Sequence, residues 1–182
     1  ELGASYSADL SEAARDADLV IVCVPVGASG EVAAEIAPVL KSGAILTDVG
    51  STKGSVIAQM APFVPDGVHF IPGHPLAGTE NSGPEAGFAE LFTSRWCILT
   101  PLPGTDPDPL AQLSAFWRRC RSNVDTMDPD HHARTLAILS PPPHIIASHN
   151  VATPTHLQTA PESAVRHHPA PRLPQFTPPP PP

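Results

Sequence analysis

A histidine between two residues that restrict the backbone carries the clearest chemical signal in this sequence. Gly73 lets the chain turn sharply before His74, and the ring of Pro75 fixes the φ angle directly after it. An imidazole held in this way suits a general base, because its ordinary pKa lies near neutrality. The alternative is a loop histidine that donates a hydrogen bond to a nearby carbonyl group. The two rigid neighbours favour the catalytic interpretation.

Residues 48–54, Asp-Val-Gly-Ser-Thr-Lys-Gly, contain the residue types of a phosphate-binding P-loop but not their order. The segment offers a glycine turn followed by Ser51 and Thr52 at the start of a helix, where backbone N–H groups point outward. It is therefore a candidate ligand loop. An N-cap role for Ser51 or Thr52 fits the same residues equally well, so both interpretations stay open.

Other polar side chains carry weaker signals. The segment 79–83 could contact a substrate, but its composition is that of a solvated turn. His131 and His132 form half of a metal site that no thiol or carboxylate spacing completes, so we interpret them as a helix-start feature and predict no metal. His144 follows three prolines and indicates nothing by itself. The three cysteines are far apart in apolar sequence, which is typical of reduced, buried thiols in a cytosolic protein.

Short apolar runs and amphipathic helices surround these segments and predict a sheet. Strands are predicted at residues 19–24, 44–47, 68–71 and 96–99 and from Val124, with helices between them and a further helix near 85–92. Continuous apolar runs are typical of strands buried on both faces, and their alternation with helices predicts an open parallel α/β sheet. Ligands of such sheets bind beyond the carboxyl ends of the strands. Three unusual segments fall at those ends, namely residues 25–27, 48–54 and 72–83.

Composition restricts the classes of function. The chain carries 18 acidic and 10 basic side chains, a net charge of −8, which argues against a nucleic-acid partner. The longest apolar run, residues 19–28, is too short to cross a bilayer. Of the 25 prolines, 13 fall within residues 141–182, where they exclude a regular helix or sheet. We therefore expect a globular part to about residue 140 and a Pro-rich, disordered tail.

Three motifs together resemble those of prephenate/arogenate (cyclohexadienyl) dehydrogenases. They are Val24-Pro25-Val26-Gly27, the 48–54 segment, and the run Gly73-His74-Pro75-Leu76-Ala77-Gly78-Thr79-Glu80-Asn81-Ser82-Gly83. The resemblance covers about residues 1–150. It implies an NAD- or NADP-dependent, cytoplasmic, homodimeric enzyme of tyrosine biosynthesis. Such enzymes oxidatively decarboxylate prephenate to 4-hydroxyphenylpyruvate, or L-arogenate to L-tyrosine, and the resemblance implies neither a nucleic-acid nor a membrane partner.

The resemblance also implies roles for individual residues. His74 would accept or hold the proton of the substrate's C4 hydroxyl group while a hydride leaves C4. Ser51 would lie beside that hydroxyl and the nicotinamide, and Glu80 would border the substrate entrance. The remaining implied contacts are with substrate at Thr79 and His144, and with cofactor at Pro25, Val26, Asp48, Gly50 and Ser51.

The family pattern further implies a Rossmann-like sheet that here lacks its first βαβ elements. The Gly-x-Gly-x-x-Gly turn that holds a pyrophosphate would precede Glu1. In the segment 140–144, Ser-Pro-Pro-Pro-His stands where the family has Ser-His-Leu-Pro-His, so of its histidines only His144 matches. The implied domains are a partial nucleotide-binding domain at residues 1–127, the start of a helical dimerisation and substrate domain at 128–150, and the Pro-rich tail at 151–182.

These departures keep other functions open. We expect little or no dehydrogenase activity from the 182-residue chain alone, because half of the cofactor site is missing. The alternatives are a catalytically inactive remnant or binding module of this family, and a different hydroxyacid-type dehydrogenase. The long Gly-His-Pro run of residues 73–83 counts against the latter.

Overall fold

Strands and helices alternate through most of the chain. The structure, a computed structural model, describes residues 6–78 and 87–139, with side chains up to residue 135. The elements in chain order are α1 (Leu10–Ala14), β1 (Leu19–Val22), α2 (Ser29–Ile36), β2 (Ile45–Asp48), α3 (Lys53–Met60), β3 (His69–Phe70), β4 (Gly73–Pro75), β5 (Trp96–Leu99), α4 (Pro107–Arg119), β6 (Asn123–Thr126) and α5 (Pro129–Leu139).

The first three strands form a parallel sheet in the order β1-β2-β3. β1 pairs with β2 over its whole length, with Leu19 opposite Ile45 and Val22 opposite Asp48. Consecutive parallel strands need a crossover connection, and α2 and α3 supply the two that are required here. The prediction of an α/β fold on parallel strands is confirmed.

The segment that carries His74 departs from the prediction, because it is a strand and not a loop. β4 pairs antiparallel with β5, and β5 pairs in parallel with β6. The change of partner occurs at Pro72, which has no N–H to continue the ladder of β3. The N–H of Ile71 still donates to Leu46 of β2, whereas the carbonyl of Pro72 already accepts from Thr100 beyond β5, at 2.8 Å. His74 is therefore held by a sheet ladder.

The helix predicted near residues 85–92 is wrong over the part that is described. Residues 89–94 form turns, closed by bonds such as Leu91 N to Phe88 O at 3.2 Å. Phe92 packs edge-to-face on Trp117 of α4, whereas Phe88 stays 51% exposed. The segment thus lacks the continuous apolar face that stabilises a surface helix.

Apolar side chains cover both faces of the sheet. Along β2 the two faces alternate, since Leu46 belongs to one core and Ile45 to the other. The first core packs α1, α2 and α3 on the sheet through Ala14, Val22, Ala33, Ile36, Leu46, Val56, Met60 and Phe70. The second joins β2, β5 of the separate β4-β5-β6 sheet, and α4, through Ile45, Ile71, Cys97, Leu99, Leu113 and Trp117. Among the described helices, none is long and apolar enough to cross a membrane.

The last described helix, α5, begins shortly after β6 ends at Thr126. Pro129 is the first residue of α5, a position where its missing N–H is no loss. The carboxylate of Asp128 accepts a bond from the N–H of His131 at 2.8 Å. The described residues up to Ala133, including the first turn of α5, belong to one compact unit.

Candidate functional site

His74 is buried in β4, beside the carboxyl end of β2. Its side chain is 8% exposed, and its Nδ1 atom lies 3.0 Å from Nε2 of His132. The two rings meet edge-to-face, with centroids 5.2 Å apart and planes at 64°. Among the described residues no backbone carbonyl accepts a bond from the ring, so the alternative of a carbonyl-bonded loop histidine is not observed.

His132 is the residue of this site that the sequence analysis missed. The expected helix-start role fits His131, which is exposed, but it is wrong for His132, which is 1% exposed and points at His74. Its Nδ1 atom has no hydrogen-bond partner among the described residues. The spacing of His132 to Leu136 and Leu139, at i+4 and i+7, is an apolar-face pattern that could have indicated an inward position.

A buried ion pair joins the 48–54 loop to the start of β4. The ammonium Nζ of Lys53 lies 2.5 Å from Oδ2 of Asp48 and 2.5 Å from the carbonyl oxygen of Gly73. The same carboxylate accepts from the N–H of Gly50 at 2.7 Å and from the N–H of Gly73 at 3.2 Å. The Lys53 side chain is 0% exposed and that of Asp48 3%, and charges so deep in a protein persist only when paired. The pair therefore fixes the backbone on which His74 sits.

Burial keeps both imidazoles neutral. Burial lowers the pKa of His74 to about 4, and the neighbouring His132 and the Lys53 ammonium add to the effect. Burial also lowers the pKa of His132, with Lys53 adding to this and Asp48 opposing it. The expectation that His74 keeps a pKa near neutrality is therefore wrong, because it assumed a solvated ring. A neutral imidazole at neutral pH still has one nitrogen that can accept a proton.

The loops after β1 and β2 lie against each other. A Cβ atom built on Gly50 would lie 3.0 Å from Oδ2 of Asp48 and 3.1 Å from a methyl carbon of Val26. Only glycine fits there without a shift of its neighbours. The structure thus brings together the segments of Pro25 and Val26 and of Asp48 and Gly50, all predicted to contact a cofactor.

The structure bears on the two roles, ligand contact or helix N-cap, that the sequence left open for Ser51 and Thr52. Thr52 stands at the N-cap position of α3, but its side chain makes no capping bond. Ser51 is exposed, and none of the described residues bonds to its hydroxyl group. A capping role is therefore not observed for either, and Ser51 is accessible to a ligand. The predicted substrate contacts Thr79, Glu80 and His144 lie outside the described residues.

The charges and the space at these loops are compatible with a dinucleotide. Within the described ranges, no three His, Cys, Asp or Glu side chains are grouped as metal ligands. The negative charge of Asp48 is compensated internally by Lys53, so it does not oppose an anionic ligand. Gly27, in the loop after β1, has no heavy atom within 4 Å of a Cβ position, which leaves room beside the backbone of that loop. The loops could hold the nicotinamide end of a dinucleotide, whose ring carries no negative charge, through backbone groups and Ser51.

Known protein families show which class of domain this chain contains. The family model described as "Prephenate dehydrogenase, nucleotide-binding domain" matches residues 1–126, so this part of the chain is a nucleotide-binding domain. The chain is 45% identical to the cyclohexadienyl dehydrogenase of Zymomonas mobilis over 146 residues, which is 80% of this chain and 50% of that protein. It is 32% identical to the prephenate dehydrogenase of Bacillus subtilis, covering 74% of this chain and 36% of that protein.

Solved structures give the same result. The crystal structure of prephenate dehydrogenase from Aquifex aeolicus in complex with hydroxyphenyl propionate and NAD+ matches with a TM-score of 0.71 and 31% identity, over 82% of this chain and 51% of that one. Synechocystis arogenate dehydrogenase matches with a TM-score of 0.70 and 26% identity, over 86% and 54%. The chain belongs to the prephenate dehydrogenase family, a family of oxidoreductases, and the resemblance seen in its motifs is confirmed. It spans about half the length of the Zymomonas and Aquifex proteins.

Proposed function

We propose that this chain supplies the nucleotide-binding part of a prephenate or arogenate dehydrogenase. The reaction is the oxidative decarboxylation of prephenate to 4-hydroxyphenylpyruvate, or of L-arogenate to L-tyrosine. The observation that carries the proposal is a buried, neutral imidazole on the strand next to the 48–54 loop of a nucleotide-binding domain. Family membership does not favour the alternatives of a binding module or another hydroxyacid dehydrogenase.

His74 acts on the hydroxyl group of the substrate. NAD or NADP, when bound, accepts the hydride from C4 of the ring. His74 takes the proton of the C4 hydroxyl group, so that the oxygen becomes a carbonyl, and loss of carbon dioxide then makes the ring aromatic. The exposed hydroxyl of Ser51 is available to hold the same oxygen by a hydrogen bond. Glu80, Thr79 and His144 complete the substrate contacts that the resemblance implies.

The cofactor contacts are assigned to the paired loops after β1 and β2. Pro25, Val26 and Gly50 contribute their backbone and small side chains. Asp48 contributes through the loop conformation that its buried carboxylate fixes, because that carboxylate is occupied by Lys53 and two backbone N–H groups.

The organisation proposed for the chain follows from this role. Residues 1–127 are the partial nucleotide-binding domain, 128–150 begin the helical dimerisation and substrate domain, and 151–182 are a disordered tail. α5 starts at Pro129, close to the first boundary, and its first turn packs in the same compact unit as the preceding residues. The family role further suggests a cytoplasmic homodimer with a small-molecule substrate, and the net charge of −8 weighs against nucleic acid.

A chimera tests this function. Residues 1–139 of this chain replace the aligned segment of the Zymomonas mobilis cyclohexadienyl dehydrogenase, and reduced dinucleotide is measured with prephenate and L-arogenate, each with NAD+ and NADP+. His74→Asn should lower kcat by roughly 10²–10⁴-fold, the usual contribution of a general base, with the Kd for dinucleotide unchanged. His69→Asn on neighbouring β3 is the matched control and should keep the parent rate. Turnover of the His74→Asn chimera at the parent rate would contradict the proposal.

A further inference from the structure

The contact between the two buried imidazoles suggests a role for His132 that the family motifs do not assign. We propose that His132 is a positioning residue, whose Nε2 atom accepts a hydrogen bond from Nδ1 of His74 and so keeps Nε2 of His74 free to take the substrate's proton. The inference rests on the proposed function, in which His74 is the proton acceptor.

The distance between the rings leaves two arrangements of protons. Nδ1 of His74 and Nε2 of His132 are 3.0 Å apart, so one hydrogen lies between them, and each neutral ring carries a single N–H. If His74 donates, its Nε2 is a bare acceptor. If His132 donates, the proton of His74 sits on Nε2, and that nitrogen cannot accept another. Only the first arrangement allows His74 to act as a base through its remaining nitrogen.

Packing alone does not account for His132. It is 1% exposed, and its Nδ1 has no partner among the described residues. A buried polar atom without a hydrogen bond destabilises a fold, and a leucine would fill similar space without that penalty. Residues that break the rules of core packing are expected where a protein needs their chemistry. The chemistry that His132 offers is its bond to His74.

The bond also remains useful after the proton is transferred. The O–H bond of the substrate breaks, an N–H bond forms at Nε2 of His74, and no proton has to leave Nδ1. His74 is then an imidazolium, and its bond to His132 becomes charge-assisted and stronger. His132 stays neutral throughout, and the Lys53 ammonium close by favours the later release of the proton to solvent. The step needs no other reactant than the substrate and cofactor of the proposed function.

Nuclear magnetic resonance tests the protonation state without any activity. Long-range ¹H–¹⁵N correlation spectra of the 182-residue chain, labelled in histidine with ¹⁵N and recorded at neutral pH, distinguish the two neutral forms of each ring. The His74 signals are assigned from their loss in His74→Asn. We expect the Nδ1–H form for His74 in the parent chain and in His132→Gln, whose amide oxygen can accept the same bond. In His132→Leu, His74 should lose this preference. An Nε2–H form of His74 in the parent chain would overturn the proposal.

Kinetics and stability in the chimera separate positioning from a structural role. His132→Leu should lower kcat by up to roughly 10²-fold with KM within about twofold, while stability changes little, because the unpaired Nδ1 of His132 is removed as Nδ1 of His74 loses its partner. His132→Gln should recover most of the rate. A fall in stability with an unchanged kcat would show a structural role only and overturn the inference.

The same experiments distinguish failure of this inference from failure of the proposed function. If His74→Asn keeps the parent rate, the proposed function fails, whatever the spectra show. If His74→Asn is inactive but His132→Leu keeps both the parent rate and the parent spectrum, the inference on His132 fails and the proposed function stands.

Discussion

Acid should destabilise this protein through His74. The pKa of His74 is lowered from 6.5 to about 4 in the folded chain. Below pH 6.5 the unfolded chain therefore takes up a proton that the folded chain does not. The contribution of the neutral His74 ring to the unfolding free energy is fully present above pH 6.5 and is lost as the pH falls toward 4. The whole shift corresponds to about 3.5 kcal/mol, at about 1.4 kcal/mol for each pKa unit, and about 3 kcal/mol of this is lost by pH 4.

The surroundings of His74 support this magnitude. The side chain is buried, so solvent screens its interactions little. The titratable groups that act on it are His132 from α5 and Lys53 from α3, both of which disfavour the charged ring. The thiol of Cys97 on β5 offers no negative charge in compensation, because burial raises its pKa to about 12. The carboxylate of Asp48 is occupied by Lys53.

The assay is urea unfolding of the 182-residue chain from pH 7.5 to 4, for the parent, His74→Gln and His69→Gln. The quantity of interest is the difference in unfolding free energy between parent and variant, in which the protonation of shared carboxylates cancels. Relative to His74→Gln, the parent should lose about 3 kcal/mol between pH 7 and 4. His69→Gln retains His74 and should lose as much. If the unfolding free energies of the parent and His74→Gln changed with pH by the same amount, the reasoning would be refuted.

Three further predictions concern the core of the site. Lys53→Met should lower the unfolding free energy by roughly 3–5 kcal/mol in chemical denaturation, because it leaves the buried carboxylate of Asp48 unpaired. The double variant with Asp48→Asn should recover much of the loss, and equal loss in both would argue against a charge effect. Gly50→Ala should cost about 1–3 kcal/mol in thermal melts, because its Cβ meets Oδ2 of Asp48 at 3.0 Å. Gly27→Ala, with open space at its Cβ, is the control and should melt like the parent. Cys97, fully buried with a raised pKa, should react with a thiol reagent only on unfolding; rapid labelling of the native chain would contradict this.

The sequence was sufficient for the features that depend on local pattern. The runs at β1 and β2 are rich in apolar residues, as expected of parallel strands in an α/β fold, and both strands form within two residues of their predicted bounds. The general rule on carboxyl ends of parallel strands was enough to bring the loops of Val26 and Gly50 together. His74 stood out because two rigid residues flank it.

The features that the sequence did not reveal depend on contacts between distant parts of the chain. The strand that carries His74 forms because it pairs with β5, which lies more than 20 residues later in the chain. Lys53 was given no role of its own from the sequence, and it is buried where Asp48 and the Gly73 carbonyl meet at its ammonium. His132 was interpreted as a helix-start feature, although its Nε2 atom faces the buried ring of His74. Once His74 was placed among these groups, its pKa could no longer be that of a histidine in water.

The contacts of the site also differ in how much of the chain must be present before they form. Asp48 and Lys53 are 5 residues apart, Lys53 and Gly73 are 20 apart, and His74 and His132 are 58 apart. Contacts between near neighbours close smaller loops and form faster. During synthesis, all residues of the ion pair and its loop therefore leave the ribosome well before the first turn of α5. His132 is the last of these residues to emerge, so the 48–54 loop can close before His74 acquires its partner.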